Sequence, residues 1–310
     1  MPPEPRRNAV DAARALPPRA SDPWATAAAA GLVRVREYRC TACEGDPPRA
    51  EQFDGTSIAV VRSGVFGVRT DKRTQLLSTG FLLLGNAGQS YEASHDHGVG
   101  DVCLVFDFPS GVIDELAGSL RSGAGTRRPF AVNVLPPHPR VDALRRLVEE
   151  EVSFGQGTGR LEELGLSLAA QVLRMSGSGT LRSSSKAPDT RHGRDHIVAA
   201  MAHIEQSASA ELRLSELAAT AGLSPFHFLR LFKRETGITP HRFLVQTRIR
   251  RAVQLLRETS RPVTTIAFEV GFGDLSNFIN AFRREVGVSP RSYRTLGISG
   301  KRSIRSPPSR

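Results

Sequence analysis

Apolar and polar positions alternate in three different rhythms along this chain. From Leu32 to Phe108 short apolar runs rich in β-branched and aromatic residues are cut by Gly, Asp and Pro: Val33–Tyr38, Thr56–Arg62, Val65–Arg69, Phe81–Leu84, Gln89–Ala93 and Val102–Phe108. Short strands between turn residues predict a small sandwich or barrel. A 3.6-residue period follows over Arg140–Phe154 and Leu161–Met175. The first of these helices carries Val141, Leu144, Leu147, Val148 and Val152 on one face, a stripe that a small barrel is not expected to cover fully. From about residue 189 the pattern is helical throughout. Residues 1–30 carry Pro and Ala without an apolar period and predict a disordered leader; Ser176–Pro188, SGSGTLRSSSKAP, has the composition of a flexible linker.

The helical part contains one pattern written twice. Leu214–Phe243 reads LSELAATAGLSPFHFLRLFKRETGITPHRF, and Val263–Tyr293 reads VTTIAFEVGFGDLSNFINAFRREVGVSPRSY. Ala218 and Gly222 recur 49 residues on as Ala267 and Gly271; Phe228, Phe232, Gly237 and Pro240 recur 50 residues on as Phe278, Phe282, Gly287 and Pro290. The second copy therefore has one extra residue in its turn. Each copy predicts a short helix, a glycine-bearing tight turn, a polar cap (Ser224 or Asp274) and a second helix, which is the layout of a helix-turn-helix. Gly237 and Gly287 stop the second helices, and Pro240 and Pro290 open the next. Between the copies a helix from about Pro240 to Arg257 buries Phe243, Leu244, Ile249, Ala252, Val253 and Leu256, while Arg248, Arg250, Arg251 and Arg257 occupy much of the rest.

Charge separates the halves. Residues 189–310 hold 20 Lys and Arg against 10 Asp and Glu, so they carry +10 of the chain's net +11. Basicity confined to one domain is the footprint of a polyanionic partner. Opposite the core stripe, the first second-helix presents Pro225, Phe226, Leu229, Arg230 and Lys233. The other presents Leu275, Ser276, Asn277, Ile279, Asn280 and Arg283. Arg230 suits a guanine edge and Asn280 an adenine edge; Leu229 at most packs on a thymine methyl, and Phe226 fits a DNA contact or a staple onto the core equally well. Arg234, Arg284 and Arg294 are expected at phosphate.

Residues 190–296 resemble the DNA-binding domain of AraC/XylS-type transcription regulators. The resemblance rests on Ala218-x-x-x-Gly222, Phe232-Lys233-Arg234-x-x-Gly237-x-x-Pro240, Gly271-Phe272 and Phe282-Arg283-Arg284-x-x-Gly287-x-Ser289-Pro290-x-x-Tyr293-Arg294. It covers about a third of the chain. It implies that Phe226, Leu229, Arg230 and Asn280 stand at base-reading positions and that one rigid helix sets the spacing of two reading helices. It further implies a cupin-like barrel as N-terminal sensor, dimerisation through the adjoining helix pair, and as partners double-stranded DNA, RNA polymerase, a small-molecule effector and a second copy of the chain.

Three cysteines and a histidine pair raise a separate possibility. Cys40 and Cys43 form a C-x-x-C; His95 and His97 lie in SHDHGVGD, just before Cys103. Cys40, Cys43, His95 and Cys103 offer the four nitrogen and sulfur ligands that tetrahedral zinc requires. The competing reading is reduced structural thiols and surface histidines. No nucleophile elbow, phosphate loop or dinucleotide fingerprint occurs, and no apolar run approaches the ~18 residues of a membrane span.

The expectation is thus an α+β chain: a leader (1–30), a cupin-like sensing and dimerising domain with a helix pair (31–175), a linker (176–188), an all-helical domain with two helix-turn-helix motifs (189–296) and a basic tail (297–310). The function expected is a cytoplasmic, effector-responsive regulator, more an activator than a repressor, with no cofactor. The alternative is a metal-dependent cupin enzyme fused to the same DNA-binding domain.

Overall fold

The structure, a computed structural model, describes residues 23–43, 46–70, 73–95, 100–120, 128–154, 158–177 and 191–301. The first part is built from strands β1 (Trp24–Ala30), β2 (Val33–Cys40), β3 (Arg49–Gln52), β4 (Thr56–Gly64), β5 (Phe66–Thr70), β6 (Arg73–Leu77), β7 (Leu82–Gly85), β8 (Ser90–Ser94) and β9 (Asp101–Phe108). Helix α1 (Val112–Leu120), strand β10 (Val134–Leu135) and helices α2 (Pro139–Phe154) and α3 (Thr158–Gly177) complete it. Among the described residues the strands form two antiparallel sheets, ordered β1-β2-β9-β4-β7-β10 and β3-β8-β5-β6. Among the described residues no ladder joins one sheet to the other, so they form a two-sheet sandwich without the closure expected of a barrel.

Alternation along the central strands explains why both faces of the larger sheet are covered. Successive strand residues point to opposite faces. Strand β4 sends Ile58 and Val60 into a core shared with Val35, Phe106 and the helix residues Val148, Leu168 and Val172. Its Ala59 and Val61 join Phe66, Val68 and Leu77 of the smaller sheet. Val141 and Val148 of α2 are fully buried within the first of these cores. The stripe is thus covered in part within the chain, where α2 packs on α3 and on its own sheet, while Leu144, Leu147 and Val152 stay half-buried.

Trp24–Ala30, which composition placed in the leader, is strand β1, paired antiparallel to β2. The helix pair matches the predicted spans closely. The linker expectation beyond Gly177 and the tail beyond Lys301 lie outside the described residues.

The C-terminal part is all helical: α4 (Arg191–Ser207), α5 (Leu214–Thr220), α6 (Pro225–Thr236), α7 (Pro240–Glu258), α8 (Val263–Glu269), α9 (Leu275–Val286) and α10 (Pro290–Lys301). Its two phenylalanine-centred cores are separate. Phe228, Phe232 and Phe243 pack with Ile197, Met201 and Leu217; Phe278, Phe282 and Tyr293 pack with Ile249, Val253 and Ile266. The first core continues into the sandwich through Phe81, whose ring centroid lies 6.5 Å from that of Phe243. Ala143 of α2 is buried in the second.

Candidate nucleic-acid interface and N-terminal pocket

The two helix-turn-helix units, α5–α6 and α8–α9, are built by the local signals the repeat predicted. Gly222 adopts φ +62° and Gly271 φ +100°, a conformation glycine reaches without steric cost. Ser224 Oγ accepts the His227 backbone N–H at 3.3 Å. Asp274 accepts two, from Ser276 at 2.9 Å and Asn277 at 3.0 Å. The extra residue of the second turn lies between α8 and α9, where Val270–Asp274 replaces the shorter Ala221–Ser224. Left-handed Gly237 and Gly287 cap the C-termini of α6 and α9.

Each unit buries its phenylalanine stripe and leaves the opposite face open. On α6, Phe226, Arg230 and Lys233 are exposed and Leu229 is half-buried. Phe226 is 69% exposed, so it is no staple onto the core; its ring lies 5.8 Å from the Arg230 guanidinium, an apolar plate beside a bidentate donor. On α9, Ser276, Asn277, Asn280 and Arg283 are exposed and Ile279 is half-buried.

The arginines divide by role. Arg234 and Arg284 turn back to the buried carboxylates of their neighbours, Arg234 Nε to Glu235 at 2.7 Å and Arg284 Nε to Glu285 at 3.2 Å. Arg284 is still largely solvent-exposed, whereas Arg234 is half-buried. Arg294, expected at phosphate, instead donates to the Arg261 carbonyl at 2.6 Å.

The arginines of α7 face inward or sideways. Arg248 donates to the carbonyls of Ala208 and Ala210 at 2.7 and 2.8 Å. Arg250 is buried and donates to the Thr79 carbonyl; Arg257 Nε donates to Glu150 at 2.7 Å. Arg250 splices the helical part to the sandwich and Arg257 splices it to α2, while Arg248 ties α7 to the segment after α4. A polar cavity of about 350 Å³ lies along that seam, lined by Arg62, Asp142, Arg145, Glu149, Glu205 and Arg250 among others.

A second cavity, about 130 Å³, opens between the two sheets and is lined from both of them. Its volume is close to the ~150 Å³ that holds a benzene-sized ligand. Tyr38, Phe53 and Tyr91 supply aromatic walls, and Arg36, Glu51 and Asp107 supply charge. The Tyr91 hydroxyl donates to Glu51, and burial together with that carboxylate drives its pKa far above the phenol range.

Cys40, His95, Asp101 and Cys103 meet at one part of the pocket wall. His95 Nε2 lies 2.9 Å from Asp101 Oδ1, and Cys103 Sγ donates to Asp101 Oδ2 at 3.2 Å. Hydrogen bonds to Asp101 and Cys40 outweigh burial and push the His95 pKa up to about 9. Burial, with the adjacent Asp101 carboxylate, pushes the Cys103 thiol well up. Of the four residues grouped from sequence, Cys43 does not join: it is exposed, and its backbone N–H turns to Asp46 at 2.9 Å. Its place is taken by Asp101, opposite Cys40 in the β2–β9 register, which sequence reasoning missed. His97 lies outside the described residues.

Comparison with known proteins places the helical part. A family model described as a helix-turn-helix domain matches residues 217–295, which takes in both units. The transcriptional activator RhaS of Klebsiella pneumoniae is 33% identical over 160 residues, 51% of this chain and 58% of that protein. The probable transcriptional regulator LumQ of Photobacterium leiognathi is 38% identical over 91 residues, 29% of this chain and 37% of that protein. The chain thus spans less than two thirds of either relative. Among solved structures, the C-terminal domain of AraT, a response regulator from Geobacillus stearothermophilus, is 32% identical with a TM-score of 0.32, over 33% of this chain and 84% of that one. Carrying the paired, capped units, their glycine turns and the Phe-x-Arg-x-x-Gly closure, the helical part is a helix-turn-helix domain of the AraC/XylS type.

Proposed function

We propose that this chain is a sequence-specific double-stranded DNA-binding regulator in which α6 and α9 enter successive major grooves. The observation that carries the reading is the pair of N-capped helices whose exposed faces hold Phe226, Arg230 and Lys233 on one and Ser276, Asn277, Asn280 and Arg283 on the other. The 19 residues of α7 span ~28 Å at the α-helical rise, comparable to the ~34 Å separation of successive major grooves on one DNA face. Arg230 and Asn280 read base edges; Lys233, Arg283 and Arg284 sit at phosphate.

The sandwich, from β1 to α3, is the sensing unit, and its 130 Å³ pocket receives a small effector. Two facing antiparallel sheets around a pocket support the cupin-like reading without a closed ladder. Activation in the cytoplasm through RNA polymerase, and pairing of two chains on a repeated site, complete the proposal; the activator role is supported by the RhaS similarity. No helix among the described residues is long and apolar enough to cross a membrane.

The test is selection of bound duplexes from a random library by the full chain, followed by titration of the winning site and of random DNA across salt. Log affinity should fall with log salt at about −0.9 per neutralised phosphate. Arg230→Ala should cost about 1–3 kcal/mol on the selected site and relax one base position, while Lys233→Ala weakens all duplexes alike and lowers the slope by about one. An Arg230→Ala protein that loses affinity equally for selected and random DNA removes the base-reading role.

A further inference from the structure

The N-terminal pocket holds a set of donors that DNA binding does not use. Cys40 ends β2, Asp101 begins β9, and the two are direct partners in the antiparallel register. Their approach is unusually close. Gly100 adopts φ +60°, donates its N–H to the Ala42 carbonyl at 2.8 Å, and would bring an added Cβ to 2.4 Å from the Cys40 carbonyl oxygen. Gly64, at φ +91°, approaches the same corner from β4, where an added Cβ would lie 2.4 Å from the Gly100 carbonyl oxygen. Two glycines therefore let three strand ends converge, and the side chains gathered there are a thiol, an imidazole and a carboxylate.

Ligand atoms of Cys40, His95 and Asp101 all lie within 4.8 Å of one another. His95 and Asp101 are buried. Tetrahedral zinc, with sulfur at ~2.3 Å and nitrogen at ~2.0–2.1 Å, needs its ligand atoms roughly 3.5 Å apart. The set is thus within a side-chain rotation of that shape. Cys103, also buried, has its sulfur on the second Asp101 oxygen, and its residue faces Tyr38 two pairs along the same ladder, hence on the same face as Asp101. Its sulfur lies beside the other three, outside their 4.8 Å set, and is the neighbouring thiol from which a fourth ligand would be drawn. Two thiols and an imidazole select a borderline-soft ion over magnesium or calcium, which take oxygen ligands.

We propose that Cys40, His95 and Asp101, with Cys103 as fourth ligand, bind one divalent cation of the zinc class in the wall of the N-terminal pocket. The site needs Asp101 and excludes Cys43, so it is not the C-x-x-C site that spacing suggests. Binding releases to solvent the thiol protons of Cys40 and Cys103 and the proton held between His95 and Asp101, and the ion takes the place of that hydrogen bond. The inference is independent of the DNA-binding reading and is tested by metal binding alone.

The experiment uses the full chain, reduced and stripped with chelator, titrated with zinc against a chromophoric competitor and separately with cobalt(II). One equivalent of zinc is expected. Cobalt should give near-ultraviolet thiolate charge-transfer absorption and the strong visible bands of a tetrahedral ion. Cys40→Ser and Asp101→Asn should weaken zinc binding on the order of 100-fold or more, since even outer-shell changes cost 10–100-fold; Cys43→Ser should leave it unchanged. Circular dichroism of each metal-free variant reports folding. Should Cys40→Ser fail to fold, His95→Gln supplies the ligand deletion and wild-type cobalt absorption stands as the readout. A wild-type chain that takes up no zinc, or cobalt bound without thiolate absorption, means a hydrogen-bonded cluster only. Equal losses for Cys43→Ser and Cys40→Ser move the ion to the exposed loop. Any of these results overturns the proposal.

Discussion

The two reading helices should differ in how much they depend on their caps. Asp274 satisfies two of the four unpaired N–H groups at the start of α9, at 2.9 and 3.0 Å, and sets a carboxylate on the positive end of the helix. Ser224 satisfies one at the start of α6, at 3.3 Å, with a neutral hydroxyl. Removing an N-cap side chain costs about 1 kcal/mol, within a range of about 0.5–2, and a favourable charge at an exposed terminus adds about 0.3–1. Asp274→Ala should therefore destabilise by about 2 kcal/mol and Ser224→Ala by about 0.5–1. Asp274→Asn, which keeps an acceptor and drops the charge, should fall between. Urea unfolding at constant m-value measures the differences, and amide exchange should speed up more in the first turn of α9 on Asp274→Ala than in that of α6 on Ser224→Ala. Ser224→Ala costing as much as Asp274→Ala refutes the counting of caps by satisfied donors and charge.

Two further outcomes follow from burial. Replacing Val148 with Glu should cost more than about 3 kcal/mol and abolish folding, because an unpaired carboxylate is forced into a closed core; a folded, soluble Val148→Glu chain in sedimentation restores the case for a dimer interface on α2. Asp142 should govern acid sensitivity at the seam. Burial alone would raise its pKa, but Arg145 at 2.7 Å and Arg146 at 3.2 Å bring it below the ordinary carboxylate value. A depressed folded-state pKa contributes stability above the unfolded value of ~3.9 and loses it as pH falls through the folded value. Unfolding measured through this window should therefore show a falling limb that Asp142→Asn flattens; an unchanged limb assigns it to other carboxylates.

The helical part was legible because its signals are local. Gly222, Ser224 and the Phe228–Phe232 spacing each act within one turn, and their recurrence at Gly271, Asp274 and Phe278–Phe282 removed the ambiguity of a single copy. The sandwich was legible only where strands are apolar. Strand β3, RAEQ, is polar and mostly exposed, and β1, WATAAAA, is alanine-rich and exposed; both depend on pairing with β8 and β2, which one sequence does not display. The same reason hid Asp101: its partner Cys40 is distant in the chain, and only the register brings them together. Cys43 attracted attention through spacing alone, while the chain leaves β2 at Cys40 and turns outward. The helix stripe of α2 was legible as apolar, but not that its own sheet and α3 cover Val141 and Val148, since sequence gives the width of a face and not what covers it.

Helix α7 serves three clients at once. Its first turn packs Phe243 against Phe232 at 5.8 Å, its middle and end supply Ile249, Val253 and Leu256 to the second unit, and Arg250 and Arg257 grip the Thr79 carbonyl and Glu150. A rod fixed at three bearings transmits rotation with little slack. A tilt of α2 or of the loop at Thr79, such as a ligand in the sandwich would favour, reaches both reading helices as one rigid turn and not as two independent adjustments. Under the proposed function the two heads would then gain or lose register with a duplex together, so a ligand would change the orientation of the pair on the DNA more than the affinity of either head alone.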